Sequence, residues 1–213
     1  MTEYPTLNLE RELWARGFRR LAGVDEAGRG ALAGPVAAAV AILPPDPQIE
    51  ETLRGVRDSK QMTPSQRESW AERLPALLLD FGVGFASPEE IDALGILPAT
   101  RLAVRRALAA LSAPPDHLLL DYLKLPTVDI PQRSLPKGDR RVLSIAAASV
   151  LAKTRRDALM RAYEAQYPGY GFARHKGYGT AAHRAALQTL GPTPLHRRSF
   201  APLRFVESNE VGQ

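Results

Sequence analysis

The chain has 213 residues, 45% hydrophobic and 24% charged, which suits one globular unit with a sizeable core. No apolar run reaches the length of a membrane span, and the mixed-charge start MTEYPTLNLERELW lacks the apolar heart of an export signal. There is no cysteine, which excludes disulfides, thiolate nucleophiles and zinc–sulfur sites and suits a reducing, cytoplasmic setting. The net charge of +5 is unevenly spread: positions 153–204 hold ten Lys or Arg against two acids, leaving 18 basic and 21 acidic residues elsewhere. A basic face opposite an acidic site suits an enzyme that handles a polyanion, although a solvated basic helix face gives the same count.

Residues 10–18 read as a short helix leading into two strands, 20–25 and 35–43, joined by a glycine turn over 28–34. A Pro-rich loop follows, then a helical piece to Val56. Thr63 with Gln66 three residues on forms a capping-box pattern, predicting a helix to about position 79. A strand is expected over 80–85, then a helix capped by Ser87 with Glu90, and a second helix across Pro98 to Leu111. HLLLDY, 117–122, reads as a buried strand ending in Asp121. After another Pro-rich loop, a long helix is expected from about 140 to 163, with small residues at its start that let it lie close to a sheet. One further helix is expected near 180–190. Strands first, then helices returning to a further strand, point to an α/β sandwich with a mixed sheet.

Two strand ends carry acids, Asp25–Glu26 and Asp121. They meet only if their strands are parallel neighbours, with both carboxyl ends on one sheet edge, where ligands of open α/β sheets bind. A helix near that edge offers Asp139 or Asp157; if one helix carried both, their 18-residue separation would put them roughly 27 Å apart. Asp139, in KGD, is the better candidate, because its glycine lets the chain approach the edge; taken alone it also reads as an N-cap. Asp157 reads as pairing with neighbouring arginines on a solvated face. Asp25 and Glu26 alone could cap a turn, and Asp121 alone could be a polar strand terminus. Four carboxylates without Cys or a His cluster suit Mg²⁺ or Mn²⁺ rather than zinc, and two such ions about 4 Å apart suit phosphodiester hydrolysis. His117, His175, His183 and His196 lack metal-ligand spacing and read as structural or phosphate-contacting.

VDEAGRGALAGPV, DSK at 58–60, LLLD at 118–121, KGD at 137–139 followed by SIAAASVLAKTRRD, HKGYGT at 175–180 and HRRSF at 196–200 together resemble bacterial ribonuclease HII. The resemblance spans about residues 20–203. It implies an α/β, RNase H-like fold with a mixed five-stranded sheet flanked by helices and a small helical C-terminal part. It also implies an endoribonuclease that cuts 5′ of ribonucleotides embedded in duplex DNA, and RNA in RNA–DNA hybrids, leaving 3′-hydroxyl and 5′-phosphate ends. By this resemblance Asp25, Glu26, Asp121 and Asp139 are the catalytic metal ligands for Mn²⁺ or Mg²⁺. Gly28, Arg29 and Gly30 contact the ribose 2′-hydroxyl, and Tyr178 stacks on the following sugar. Lys60, Arg174, Lys176, Arg197 and Arg198 are candidate phosphate contacts. The expected organisation is a helical lead-in over 1–18, the catalytic core over 19–166, a basic substrate-binding part over 167–206 and a disordered tail over 207–213, in a monomer. A non-catalytic nucleic-acid-binding module, or another nuclease of the same fold such as a junction resolvase, is the alternative.

Overall fold

Two strands rich in alanine and valine form the centre of the sheet. The computed structural model describes residues 4–201 and residue 203. Strand β1 (Leu21–Ala27) runs antiparallel to β2 (Val36–Ile42), which pairs antiparallel with β3 (Asp80–Ala86). On its other side β1 pairs in parallel with β4 (His117–Asp121), with Val24 opposite Leu120. A fifth strand, β5 (Gln132–Leu135), lies parallel to β4, giving the order β3-β2-β1-β4-β5. This is the mixed five-stranded sheet the resemblance implied. The position of β5 was not foreseen, because QRSL at the sheet margin buries only Leu135 and so shows no strand pattern.

Helices α1 (Asn8–Ala15), α2 (Ile49–Thr52), α3 (Pro64–Leu77), α4 (Pro88–Leu94) and α5 (Ile96–Ala109) follow the expected order. Both capping boxes form: Thr63 and Ser87 each accept the amide three residues on, while Gln66 and Glu90 bond back. The long helix α6 (Leu143–Gln166) starts later than expected, because Gly138–Arg140 forms a separate 3₁₀ turn. Beyond it lie α7 (Phe172–His175), unforeseen and only one turn long, and α8 (Ala181–Leu190), capped by Thr180.

Alternation along the strands divides the core into two layers. Leu21, Ala39, Ala41 and Leu119 pack with Ile145, Ala148 and Leu151 of α6 on one face. Ala22, Val24, Val40, Leu118 and Leu120 pack with Ala99, Ala103 and Ala107 of α5 on the other. By the same alternation Asp25 and Asp121 belong to the α6 face, where Ser144, Ser149 and the small residues Ala146 to Ala148 are all buried. A smaller cluster of Ala33, Met160, Tyr170, Phe172 and Leu195 joins the C-terminal part to α6. No helix among the described residues is long and apolar enough to cross a membrane. The tail expected over 207–213 lies outside the described residues.

Candidate active site

The parallel pairing of β1 and β4 sets Asp25 and Asp121 on adjacent strands, each one residue beyond the last paired positions, Val24 and Leu120. Asp139 reaches the same edge from the 3₁₀ turn, because the Gly138 amide donates to Asp121 Oδ1 at 2.7 Å. A side chain at Gly138 would stand 2.7 Å from Ile145 Cδ1 and 3.6 Å from the Asp121 Cα, so glycine permits this approach. Asp25 and Asp139 are each only 4% exposed. Burial raises the Asp25 carboxyl well above its ordinary range, helped by Glu26 and Asp121 and opposed by a hydrogen bond from Ser149. Burial also raises Glu26, against the nearby Arg29 guanidinium. Asp139 is pushed up to about 6, by burial first and then by Asp58 and Asp121.

The acids therefore gather at one edge, and their charges oppose one another there. Among the described residues no three or more Asp, Glu or His side chains are arranged so that they could hold a metal ion. Glu26 is turned to Arg29 at 3.2 Å, and Asp121 to the Gly138 amide. The donor set still fits a hard divalent cation: it offers carboxylate oxygens only, desolvated and mutually repelling, so a cation would relieve the cost of their ionisation. Two neighbours from the DSK motif complete the edge. Lys60 Nζ stands 3.9 Å from Asp139 Oδ2, while Asp58, 1% exposed, accepts the Lys60 amide and the Arg140 guanidinium. The sequence alone does not mark Asp58 as a site residue, although it lies in the DSK motif. Ser149, which touches Asp25 and hydroxyl-bonds Ser59 at 2.9 Å, was likewise hidden in the small-residue run of α6.

Beside the acids, the glycine turn sits on two buried guanidiniums. Arg197 donates to the carbonyls of Gly28, Arg29 and Gly34 at 2.8, 2.8 and 3.0 Å. Arg156 donates to those of Pro35, Lys176 and Ala33 at 2.8, 2.9 and 3.1 Å. Both are fully buried. Gly28 has φ +92, and a side chain there would meet the Arg156 Nε at 1.9 Å, so both its backbone and its space require glycine. The carbonyls face inward, and the amides of Arg29 and Gly30 take no acceptor among the described residues. Tyr178 bridges to Ala31, joining its loop to the turn, and its ring lies 5.7 Å from Lys153 Nζ and 5.5 Å from Arg156 Cζ. A cleft of about 520 Å³ runs from Glu26 and Lys60 past residues 28–30 to Lys153 and Tyr178.

The candidate phosphate contacts divide. Arg174 is exposed and, with Lys176, lines a second cavity of about 250 Å³ that shares Lys153 and Tyr178 with the cleft and adds Arg67 and Arg161. The Lys176 ammonium bonds the Ala173 carbonyl. Arg198 is exposed, and its amide donates to Asp92. Arg197 is a correction: its guanidinium is enclosed by carbonyls and cannot meet a phosphate. Asp157 is another, since it is 6% exposed and bonded at 2.7 Å by Lys153, not paired with arginines on a solvated face. The histidines are structural: His183 and His196 are buried, and His117 packs edge-on against Phe18.

Comparison with known proteins gives the family and the fold. The sequence model described as ribonuclease HII matches residues 22–203. A ribonuclease HII of Synechococcus sp. (strain JA-3-3Ab) is 55% identical over 210 residues, covering 98% of this chain and 93% of the relative. The crystal structure of ribonuclease H2 from Pyrococcus horikoshii OT3 superposes with a TM-score of 0.74 at 28% identity, covering 91% of this chain and 100% of that one. Bst-RNase HIII, solved in complex with Mn²⁺, gives a TM-score of 0.68 at 21% identity, covering 90% and 70%, and shares the RNase H-like fold.

Proposed function

The chain belongs to the ribonuclease HII family, and on that premise we propose that it is an endoribonuclease that cuts duplex DNA on the 5′ side of embedded ribonucleotides and cuts the RNA of RNA–DNA hybrids. The observation that carries this reading is the meeting of two unlike surfaces: a desolvated edge of acids, whose Glu26 lines the cleft, and a turn whose Gly28, Arg29 and Gly34 carbonyls are held from beneath by Arg197. In this reading the amides of Arg29 and Gly30 meet the ribose 2′-hydroxyl, the group that separates RNA from DNA. Tyr178 stacks on the next sugar. Lys60 holds a phosphate beside the acids, and Arg174, Lys176 and Arg198 hold others within a C-terminal part over 167–206 devoted to substrate.

Asp25, Glu26, Asp121 and Asp139 would hold Mn²⁺ or Mg²⁺. Bound there, such ions supply water activation and charge neutralisation at the scissile phosphate. Arg29, bonded to Glu26 at 3.2 Å, stands beside the site, and Lys60 stays protonated: burial opposes its charge, but Asp25, Asp58 and Asp139 outweigh it. Water adds to phosphorus as the bond to the preceding 3′-oxygen breaks; that oxygen takes the proton and the ribonucleotide keeps the 5′-phosphate. We place this work in the cytoplasm, performed by a monomer. The test is Asp25→Asn on a labelled duplex carrying one ribonucleotide. Cleavage with either ion should be abolished while duplex binding persists; full activity would reject the assignment.

A further inference from the structure

Three of the four histidines fall in one cluster that the chemistry above does not use. The rings of His175 and His183 stack with centroids 4.4 Å apart, and His183 Nε2 meets His196 Nε2 at 3.1 Å. Phe172 covers His183 edge-on at 5.5 Å, and the Tyr170 ring lies 5.3 Å from His196. His183 and His196 are 0% and 2% exposed.

Two facing ring nitrogens can share a proton in either direction, and here backbone groups choose. The Thr193 amide, which can only donate, lies 2.9 Å from His196 Nδ1. That nitrogen therefore accepts, and the neutral ring carries its proton on Nε2. At the other end the Tyr178 carbonyl, which can only accept, lies 3.0 Å from His183 Nδ1. That nitrogen bears the proton, leaving His183 Nε2 as an acceptor. The two assignments agree where the rings meet: His196 Nε2–H donates to His183 Nε2. His175 is fixed by the same logic, since the Gly177 amide donates to Nδ1 at 3.2 Å and Nε2–H donates to the Tyr170 carbonyl at 2.7 Å.

We propose that Thr193, His196 and His183 form a one-way hydrogen-bond relay that holds the Tyr178 loop in place for the substrate, making both histidines positioning residues for ribonucleotide recognition. The proposal rests on the reading of Tyr178 as the sugar-stacking residue. The relay ends on the carbonyl of Tyr178 itself, which also accepts the Thr180 amide at 2.8 Å, while the Tyr178 amide donates to the His175 carbonyl at 3.0 Å. Thr180 also caps α8, whose first turn carries His183. The backbone at Tyr178 is thus tied on both sides to histidine-bearing segments, while the side chain stays accessible, with the residue 37% exposed.

Two measurements test this. Long-range ¹H–¹⁵N correlation of the imidazoles in the unaltered protein near neutral pH should show His183 protonated on Nδ1 and His175 and His196 on Nε2. A His183 protonated on Nε2 would overturn the relay whether or not any variant folds. In cleavage of a single-ribonucleotide duplex, His183→Leu should lower kcat/KM about five- to tenfold, as expected for one net hydrogen bond. His183→Asn, whose amide can still donate to the Tyr178 carbonyl, should recover most of the loss. Combined with Tyr178→Ala, His183→Leu should cost nothing further; losses that multiply would assign the histidines to the fold alone and defeat the proposal. An unchanged rate for Tyr178→Ala by itself would reject the stacking reading, and the relay's purpose with it, even with the tautomers as assigned.

Discussion

Arg197→Lys separates two accounts of one residue. As a phosphate contact, Arg197 would tolerate lysine, which keeps the charge. As the clamp beneath the glycine turn it would not, because a lysine ammonium is compact and cannot span the three carbonyls of Gly28, Arg29 and Gly34. Gly28 keeps the Ala31 amide at 3.3 Å, so a lysine that satisfies Arg29 or Gly34 leaves the other buried carbonyl without a donor. For that one stranded group the cost is about 1–3 kcal/mol, a sizeable share of the about 5–15 kcal/mol that holds a typical domain together. The buried charge sharpens the argument: burial, then Arg156, lowers the Arg197 pKa to about 9, so this cation is already held at a cost. Urea unfolding of both proteins reads the difference, and the salt dependence of duplex binding supplies the contrast. Stability within about 0.5 kcal/mol of the parent, the range of ordinary surface substitutions, would refute the clamp.

Other perturbations probe separate parts of the molecule. Burial, then His183, pushes the His196 pKa down to about 4, below the ordinary value of about 6.5. The unfolded chain therefore takes up a proton first, and this contribution to stability, complete above about pH 6.5, is lost as pH falls toward 4. Between pH 7 and 5 the loss from this group should be about 2 kcal/mol by urea titration; an equal loss in His196→Gln would assign it elsewhere. Glu10 is fully buried and accepts the Ser144 amide at 2.9 Å in the first turn of α6. Glu10→Ala should cost about 1–3 kcal/mol in thermal unfolding, with Glu10→Gln recovering most of it; an unchanged midpoint would deny it this role. Arg174→Ala should reduce the salt slope of duplex binding by about 0.9, one phosphate contact's worth. An unaltered slope in a fluorescence anisotropy titration would remove Arg174 from the interface.

How much was legible in the sequence follows from the range of each interaction. Capping boxes are local, so Thr63 with Gln66 and Ser87 with Glu90 announced their helices. Strand ends bearing acids between apolar runs were equally visible, and the parallel pairing they required is present. What stayed hidden depends on contacts across the chain. Strand β5 has one buried residue and owes its place to β4. Asp58 lies in the DSK motif, yet its burial against Arg140 follows from a contact 82 residues away. The carboxylate set itself rests on a choice between Asp139 and Asp157; the half-buried Lys153–Asp157 pair explains why the second acid is spoken for.

The basic C-terminal count shows the same effect in reverse. A turn that offers its amides to a substrate must direct its carbonyls inward, where no strand or helix supplies donors. Arginine suits this need, since one guanidinium carries five N–H groups in a rigid fork. Arg156 and Arg197 together satisfy six such carbonyls, from Gly28 round to Pro35 and across to Lys176. Two of the ten basic residues between 153 and 204 are therefore spent inside the protein, and Lys153 is bonded to Asp157. The surface that meets a polyanion is smaller than the charge tally implied, and the excess builds the turn that would recognise the ribose. Charge counted along a chain measures supply; only burial tells which of it faces a phosphate.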